Sequence, residues 1–379
     1  MTDPFPDLSF CPNPLCPNHH PGRTLSRRWF YRLGFYETKA FGPVRRYRCR
    51  QCRTSFSDQT FALDYFVKKP VSYQTILDKH SSSSGIRAIG RTLGVSHQTI
   101  INRIARLARQ DLALQAYLTE GMMLREDLVA DGFESFVQDQ YQPNNIHLLV
   151  GALSQFLYTF DYAHLRRKGK MTAYQKAERE RREQMYLRPA GTLTPSFQRV
   201  LDTLEQLGTS RPQEGQLTLF TDKKKEYHRL IAQSPAFGDQ GAFVHRTVSS
   251  RRARNTANPL FAVNYFDREI RKDNANHVRE SVQFSRDVNN CNDRLAVYQM
   301  YHNYIKPYRI DHRSKRSLRH AQVAGISRRK IDEELATIFQ ERRFFSHVRL
   351  DLSSLLIWAR MAGNRDRLSG GYWPRYVWM

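Results

Sequence analysis

The sequence predicts an α/β chain of several domains. Three features carry that expectation: two cysteine pairs in the first 52 residues, a helical repeat broken by a short turn at Gly94, and short apolar strands from Asp127 onward that end in acids. At 379 residues the chain can hold roughly two to four units and a sizeable core. Its 60 Lys and Arg against 36 Asp and Glu leave a formal net charge of +24. Such an excess calls for an acidic partner, most commonly nucleic acid. Aromatics at 12% and hydrophobic residues at 40% exclude wholesale disorder. The longest apolar stretches fall well short of the roughly 20 residues that cross a bilayer, so no membrane partner is expected. Met1 to Phe10 is polar and lacks a signal-peptide pattern.

Cysteine usage defines the first unit, residues 1–65. Five cysteines are too few for a disulfide framework here, yet four form Cys11-x4-Cys16 and Cys49-x2-Cys52. Two knuckles, each on a tight turn, are what a tetrahedral four-thiolate zinc site requires. Basic and aromatic flanks around Cys49 and Cys52 suit a β-hairpin, and the whole reads as a zinc ribbon. His19 and His20 lie near enough in sequence to serve as alternative ligands. Cys291 stands alone in a helical pattern, as a buried structural thiol.

The second unit, residues 70–120, reads as a helix-turn-helix. Apolar residues at 86, 89 and 93, then 100, 101, 104 and 107, follow helical spacing. Gly94 suits the left-handed residue that ends the first helix, and Ser96 can cap the second. That turn would let His97, Gln98, Thr99 and Arg103 face a DNA major groove. A connecting helix is expected over 112–119, and Ser81 to Ser84 reads as a flexible joint.

Residues 121–310 change texture to short strands. Asp127–Phe136 places Asp131 within an apolar strand, followed by strands at Ile146–Leu153 and Phe156–Phe160 that suit an antiparallel meander. A fourth, Gln216–Asp222, ends on an acid, and a fifth spans Ala242–Thr247. Asn258-Pro259 then opens a helical pattern expected to run to about Phe284, with Asn as cap and Pro at the first position. That order matches a ribonuclease-H-like sheet, in which the first and fourth strands are neighbours. Asp131 and Asp222 would then meet at one sheet edge, where paired carboxylates hold two divalent ions. Hard oxygen ligands select magnesium or manganese.

Over roughly residues 9–310 the sequence resembles bacterial insertion-sequence transposases of the DDE class that join a zinc ribbon, a helix-turn-helix and a ribonuclease-H-like core. The likeness rests on the Tyr47-x-Cys49-x2-Cys52 ribbon, Val129-Ala130-Asp131 with Phe133 and Phe136, the Leu219-x-Thr221-Asp222 strand end, and Arg279–Arg286 before a helix ending at Tyr301–Tyr304. The resemblance implies a bacterial, cytoplasmic, nucleoid-associated enzyme that cleaves and joins DNA strands with Mg²⁺ or Mn²⁺. It also implies double-stranded DNA partners, both element ends and target, and a homodimer or higher synaptic complex. Asp131 and Asp222 carry over as the first two metal-binding acids.

The third acid departs from the pattern, since relatives place a Glu where this chain has Asn264. At about 100° per residue, Leu260, Val263, Phe266 and Ile270 form the stripe facing the sheet. Asp267 lies inside that stripe, Asn264 on one flank, and Glu269 on the other, more solvent-facing side. Asp267 and Asn264 therefore rank above Glu269. If none serves, the chain is a DNA-binding regulator on an inactive nuclease fold; a nuclease without preference for repeat ends is a third reading.

Between the third and fourth strands, residues 163–215 read as a basic helical insertion. Within it Arg166 and Arg167 are expected to contact phosphates, and Ala173–Met185 to form a solvated helix. Ser249-Ser250-Arg251-Arg252-Ala253-Arg254 reads as a second phosphate clamp near the active edge. Residues 311–379 read as a helical, basic C-terminal region that begins with His312, Arg313, Lys315 and Arg316, follows with a helix over Ile331–Ile338, and suits a DNA-end clamp or an oligomer contact.

Overall fold

A computed structural model describes residues 8–20, 25, 29–187, 189–211, 215–238, 240–249, 251–278, 282–309 and 317–362. Arg279, Glu280 and Ser281 of the resemblance, and His312, Arg313, Lys315 and Arg316 of the tail, lie outside the described residues. The chain is a mixed α/β protein with two sheets.

The N-terminal sheet is small. Strands β1 (Phe30–Thr38) and β2 (Gly42–Cys49) form an antiparallel hairpin, and β3 (Ser55–Ser57) adds to β2. Gly42 turns the hairpin at φ +64°, a conformation glycine adopts without strain. Trp29 and Tyr47 each stack on Phe56 with ring centroids 5.5 Å apart, and this aromatic trio fills the ribbon's own core. After α1 (Asp58–Phe61) the ribbon docks against the C-terminal segment: the Arg342 amide donates to Phe61 O at 2.7 Å, and Phe10 meets Phe344 edge-to-face.

Helices α2 (Tyr73–His80), α3 (Ile86–Thr92) and α4 (His97–Thr119) follow. Ser96 accepts from the Thr99 amide at the α4 N-terminus, and Gly94 sits at φ +64° in the turn. The expected connecting helix over 112–119 is instead the last third of α4, because Ile104, Leu107, Ala108 and Leu112 continue one buried stripe. Nor is Ser81–Ser84 a loose joint: Ser81 is buried and the Ser83 amide donates to Asp273 O at 2.7 Å.

The second sheet holds β4 (Leu128–Phe136), β5 (Pro143–Gly151) and β6 (Leu157–His164) as an antiparallel meander. β7 (Leu217–Thr221) lies parallel to β4, and β8 (Phe243–Thr247) parallel to β7, giving the order β6-β5-β4-β7-β8. Ala130 pairs with Thr221, so Asp131 within β4 and Asp222 just past β7 each follow a paired residue on neighbouring central strands. Between β6 and β7 come α5 (Ala173–Met185) and α6 (Leu193–Gly208). The second is no insertion: Phe197, Val200, Leu201 and Leu204 bury against β5 and β6.

α7 (Lys225–Ile231) precedes β8, and α8 (Phe261–Asp273) packs on β4 and β5. α8 is shorter at both ends than the sequence suggested. Asn258 accepts from the Leu260 amide in a turn before the helix, and Asn274 ends it in an extended conformation at φ −110°. α9 (Val288–Met300) runs into a wide π-helical turn at Tyr301–Ile305 and packs along α4. The last helices are α10 (His320–Val323), α11 (Arg328–Thr337) and α12 (Leu352–Trp358). One hydrophobic core runs from Leu63 to Trp358, so α2–α4 and the C-terminal helices share it with the sheet.

Candidate functional site

The knuckles converge. Ligand atoms of Cys11, Cys16, Cys49 and Cys52 all lie within 4.8 Å of one another, with Sγ–Sγ separations of 3.6 Å for Cys11–Cys52 and 3.8 Å for Cys16–Cys49. Burial pushes the Cys16 thiol up to about 11 and raises Cys11 further. Burial opposes ionisation of Cys52 too, but hydrogen bonds from Thr54 and Asn13 bring it down to about 6. Four soft donors crowded this closely fit a zinc ion, which would take all four as thiolates. His19 is engaged elsewhere, with Nδ1 2.6 Å from Cys11 O and Nε2 2.5 Å from Ser346 Oγ. It is therefore not a fifth candidate.

In the middle of the second sheet Asp131 feels the charge of Asp222, and Asp267 that of Asp131, although among the described residues only the four cysteines gather closely enough to hold a metal ion. Asp131 lies within β4, where the Gly132 amide donates to its Oδ1 at 2.7 Å. Asp222 follows β7 and accepts from the Lys224 amide at 3.0 Å. Asp267 comes from the middle of α8, and its Oδ1 is sealed from solvent with no hydrogen-bond partner. Burial raises Asp131 to about 6, with the Asp222 charge adding to the shift and Lys224 and Arg254 opposing it. Burial and the Asp131 charge lift Asp267 to about 8, against Arg271 and Arg254. Desolvated carboxylates that repel one another are the arrangement a bound cation relieves.

The other two third-ligand candidates are engaged elsewhere. Asn264 donates its amide to Leu260 O at 2.8 Å, one turn back along its own helix. Glu269 is buried rather than solvent-facing, because Lys306 reaches over to bond both it and Asp273. That hydrogen bond, aided by Lys272, outweighs burial and holds Glu269 below the usual carboxylate range.

Of the expected DNA contacts, His97 and Gln98 are exposed at the start of α4, with Thr99 half-buried beside them. Arg103 is not on that surface. It is 6% exposed and donates to Lys69 O at 3.0 Å, so it belongs to the core side of α4. Arg166 is exposed but paired bidentately with Glu183, both contacts at 2.8 Å. Arg167 lies over the Tyr141 ring at 4.9 Å. Arg251 and Arg252 are exposed in the loop between β8 and α8, and Arg252 also donates to Ala257 O.

Arg254, which closes the expected clamp at Arg251-Arg252-Ala253-Arg254, acts on the acids together with Lys224, which sequence reasoning passed over. A cavity of about 1400 Å³ is lined by Lys224, Glu134 and the face of α5, and Asp131, Asp222 and Asp267 are not in its lining.

No protein-family model and no curated protein matches the chain. Among solved structures it is similar to one described as a cryo-EM structure of the simian T-cell lymphotropic virus intasome in complex with PP2A regulatory subunit B56 gamma. The identity is 12%, covering 67% of this chain and 75% of that chain, at a TM-score of 0.27. So loose a likeness leaves the reading of the site to the geometry above. Among the described residues, no helix is long and apolar enough to cross a membrane.

Proposed function

We propose that the chain is a DNA strand-cleaving and strand-joining enzyme of the DDE type on a ribonuclease-H-like fold, acting as the transposase of a bacterial insertion sequence in the cytoplasm, at the nucleoid. What supports this reading is the electrostatic influence of Asp222 on Asp131 and of Asp131 on Asp267, where β4 and β7 run parallel. Those three acids would hold magnesium or manganese, and the orphaned Asp267 Oδ1 and the all-oxygen donor set fit such an ion. Bound there, the metal would polarise the phosphodiester and stabilise the charge on attacking and leaving oxygens. Backbone amides of Gly132 and Lys224 fix the orientation of Asp131 and Asp222. Arg254 and Lys224, beside the acids, would bind the phosphate being attacked.

In this reading a water oxygen attacks phosphorus at the element end, the P–O3′ bond breaks, and a 3′-hydroxyl is released. That hydroxyl then attacks a target phosphodiester, displacing the target's own 3′-oxygen. No protein–DNA covalent bond forms. The zinc ribbon and the exposed start of α4, with His97, Gln98 and Thr99, would read the terminal inverted repeats in duplex DNA. Joining two ends at once calls for a homodimer or higher synaptic complex.

The test is strand nicking and joining on a plasmid carrying the element ends, with Mg²⁺ or Mn²⁺. Asp131→Ala, Asp222→Ala and Asp267→Ala should each abolish both steps, while Asn264→Ala should retain them. Binding without cleavage in either metal would refute the enzyme and leave a DNA-binding regulator.

A further inference from the structure

The cavity lined by Lys224 and α5 has features that duplex cleavage alone does not use. Its volume of about 1400 Å³ exceeds the ~300–1000 Å³ of small-ligand sites, so a polymer is the better occupant. Eight Lys and Arg line it against four acids. Its lining includes Lys224, close in sequence to Asp222, and Glu134, further along the strand that carries Asp131. Aromatic rings are interleaved with the cations. Tyr141 carries the guanidinium groups of Arg167 and Arg182, each 4.9 Å from its centroid. Tyr186, at the end of α5, leaves 48% of its surface exposed. Nη1 of Arg167 is buried without a hydrogen-bond partner.

The wall formed by α5 buries none of its residues. It is tied to the rest of the protein by ion pairs of Arg166 with Glu183 at 2.8 Å and of Arg182 with Asp139. Ion pairs this exposed contribute little and weaken with salt, so phosphates can replace the carboxylates on the same arginines. Flat rings within a cationic channel suit unpaired bases, because the bases of a duplex are already stacked on one another.

We propose that this cavity seats a single-stranded stretch of DNA, with phosphates on Arg167 and Arg182 and a base stacked on Tyr186. The proposal rests on the DNA-enzyme reading for the source of the strand, but the binding is testable alone. Anisotropy of a short fluorescent oligothymidylate and of a duplex of equal length would be measured in magnesium-free buffer on the full chain. Tyr186→Ala and Arg167→Glu should each weaken oligothymidylate binding about 10-fold, Tyr186→Phe should restore it, and duplex affinity should stay within about 2-fold. With roughly four phosphates held, the single-strand affinity should fall with salt at a log–log slope of about −3. If both variants leave oligothymidylate affinity unchanged, or weaken the duplex by the same factor, the proposal is wrong. Loss of plasmid cleavage in Asp131→Ala with oligothymidylate binding intact keeps the two readings separate: a chain that binds the strand but never cuts refutes the enzyme and not this site.

Discussion

Removing zinc should unfold the ribbon while the sheet domain stays folded. The ribbon's own core is Trp29, Tyr47 and Phe56 with the buried cysteines, and each aromatic contributes about 1.5–3 kcal/mol by burial. A structural zinc contributes about 10–16 kcal/mol near neutral pH, the larger share. Without the metal the cluster takes up protons, since Cys11 and Cys16 are both raised, so zinc affinity should fall as pH drops. Chelation, or Cys49→Ser, would be followed by hydrogen–deuterium exchange with mass spectrometry. Peptides spanning 42–57 should lose protection, and those spanning 146–163 should keep it, because the latter lie in the large continuous core. Exchange should also rise at Phe344–His347, where Phe10 and His19 dock. Unchanged exchange over 42–57, with no zinc released to a colorimetric dye, would refute the reasoning.

Asp267→Asn should separate stability from activity. A carboxyl raised from about 3.8 to about 8 binds its proton more tightly folded than unfolded, so it costs stability as pH rises through that window. The neutral amide removes the cost: metal-free Tm should rise more at pH 8 than at pH 5, with cleavage lost, and an equal shift at both would contradict the assignment. Arg103→Ala should lower stability by about 1–3 kcal/mol, by leaving Lys69 O without its donor, yet alter site preference far less than His97→Ala or Gln98→Ala. Thermal melts beside a DNA-site competition assay decide it.

What was legible in the sequence was local. Knuckle spacing named all four cysteines, and the strand order placed Asp131 and Asp222 on adjacent strands before any contact was visible. Arg103 was also legible and misread: it falls three residues after Ile100 and beside Ile104, on the buried stripe of α4. The same holds for α6, whose apolar spacing at 197, 200, 201 and 204 was masked by the basic stretch before it. Glu269 was not legible, because the residue that makes its burial tolerable, Lys306, is 37 positions away. Arg254 was legible in the cationic run near the active edge, whereas Lys224 was passed over although Lys223, Lys224 and Lys225 follow Asp222 directly.

In the proposed enzyme, helix geometry would let Asp267 take the part that the resemblance gives to position 264. Three residues along an α-helix turn about 300°, leaving an acid at 267 roughly 60° from an acid at 264 and about 4.5 Å further along the axis. Val263, Phe266 and Ile270 fix which face of α8 meets β4 and β5, so Asp267 is carried toward the sheet by packing alone. Asn264 meanwhile spends its amide on Leu260 O. Packing thus imposes a desolvated carboxylate beside Asp131, with Arg254 and Arg271 as partial compensation. In the proposed enzyme a divalent cation supplies the remainder, which is why the position should tolerate asparagine for folding and not for cleavage.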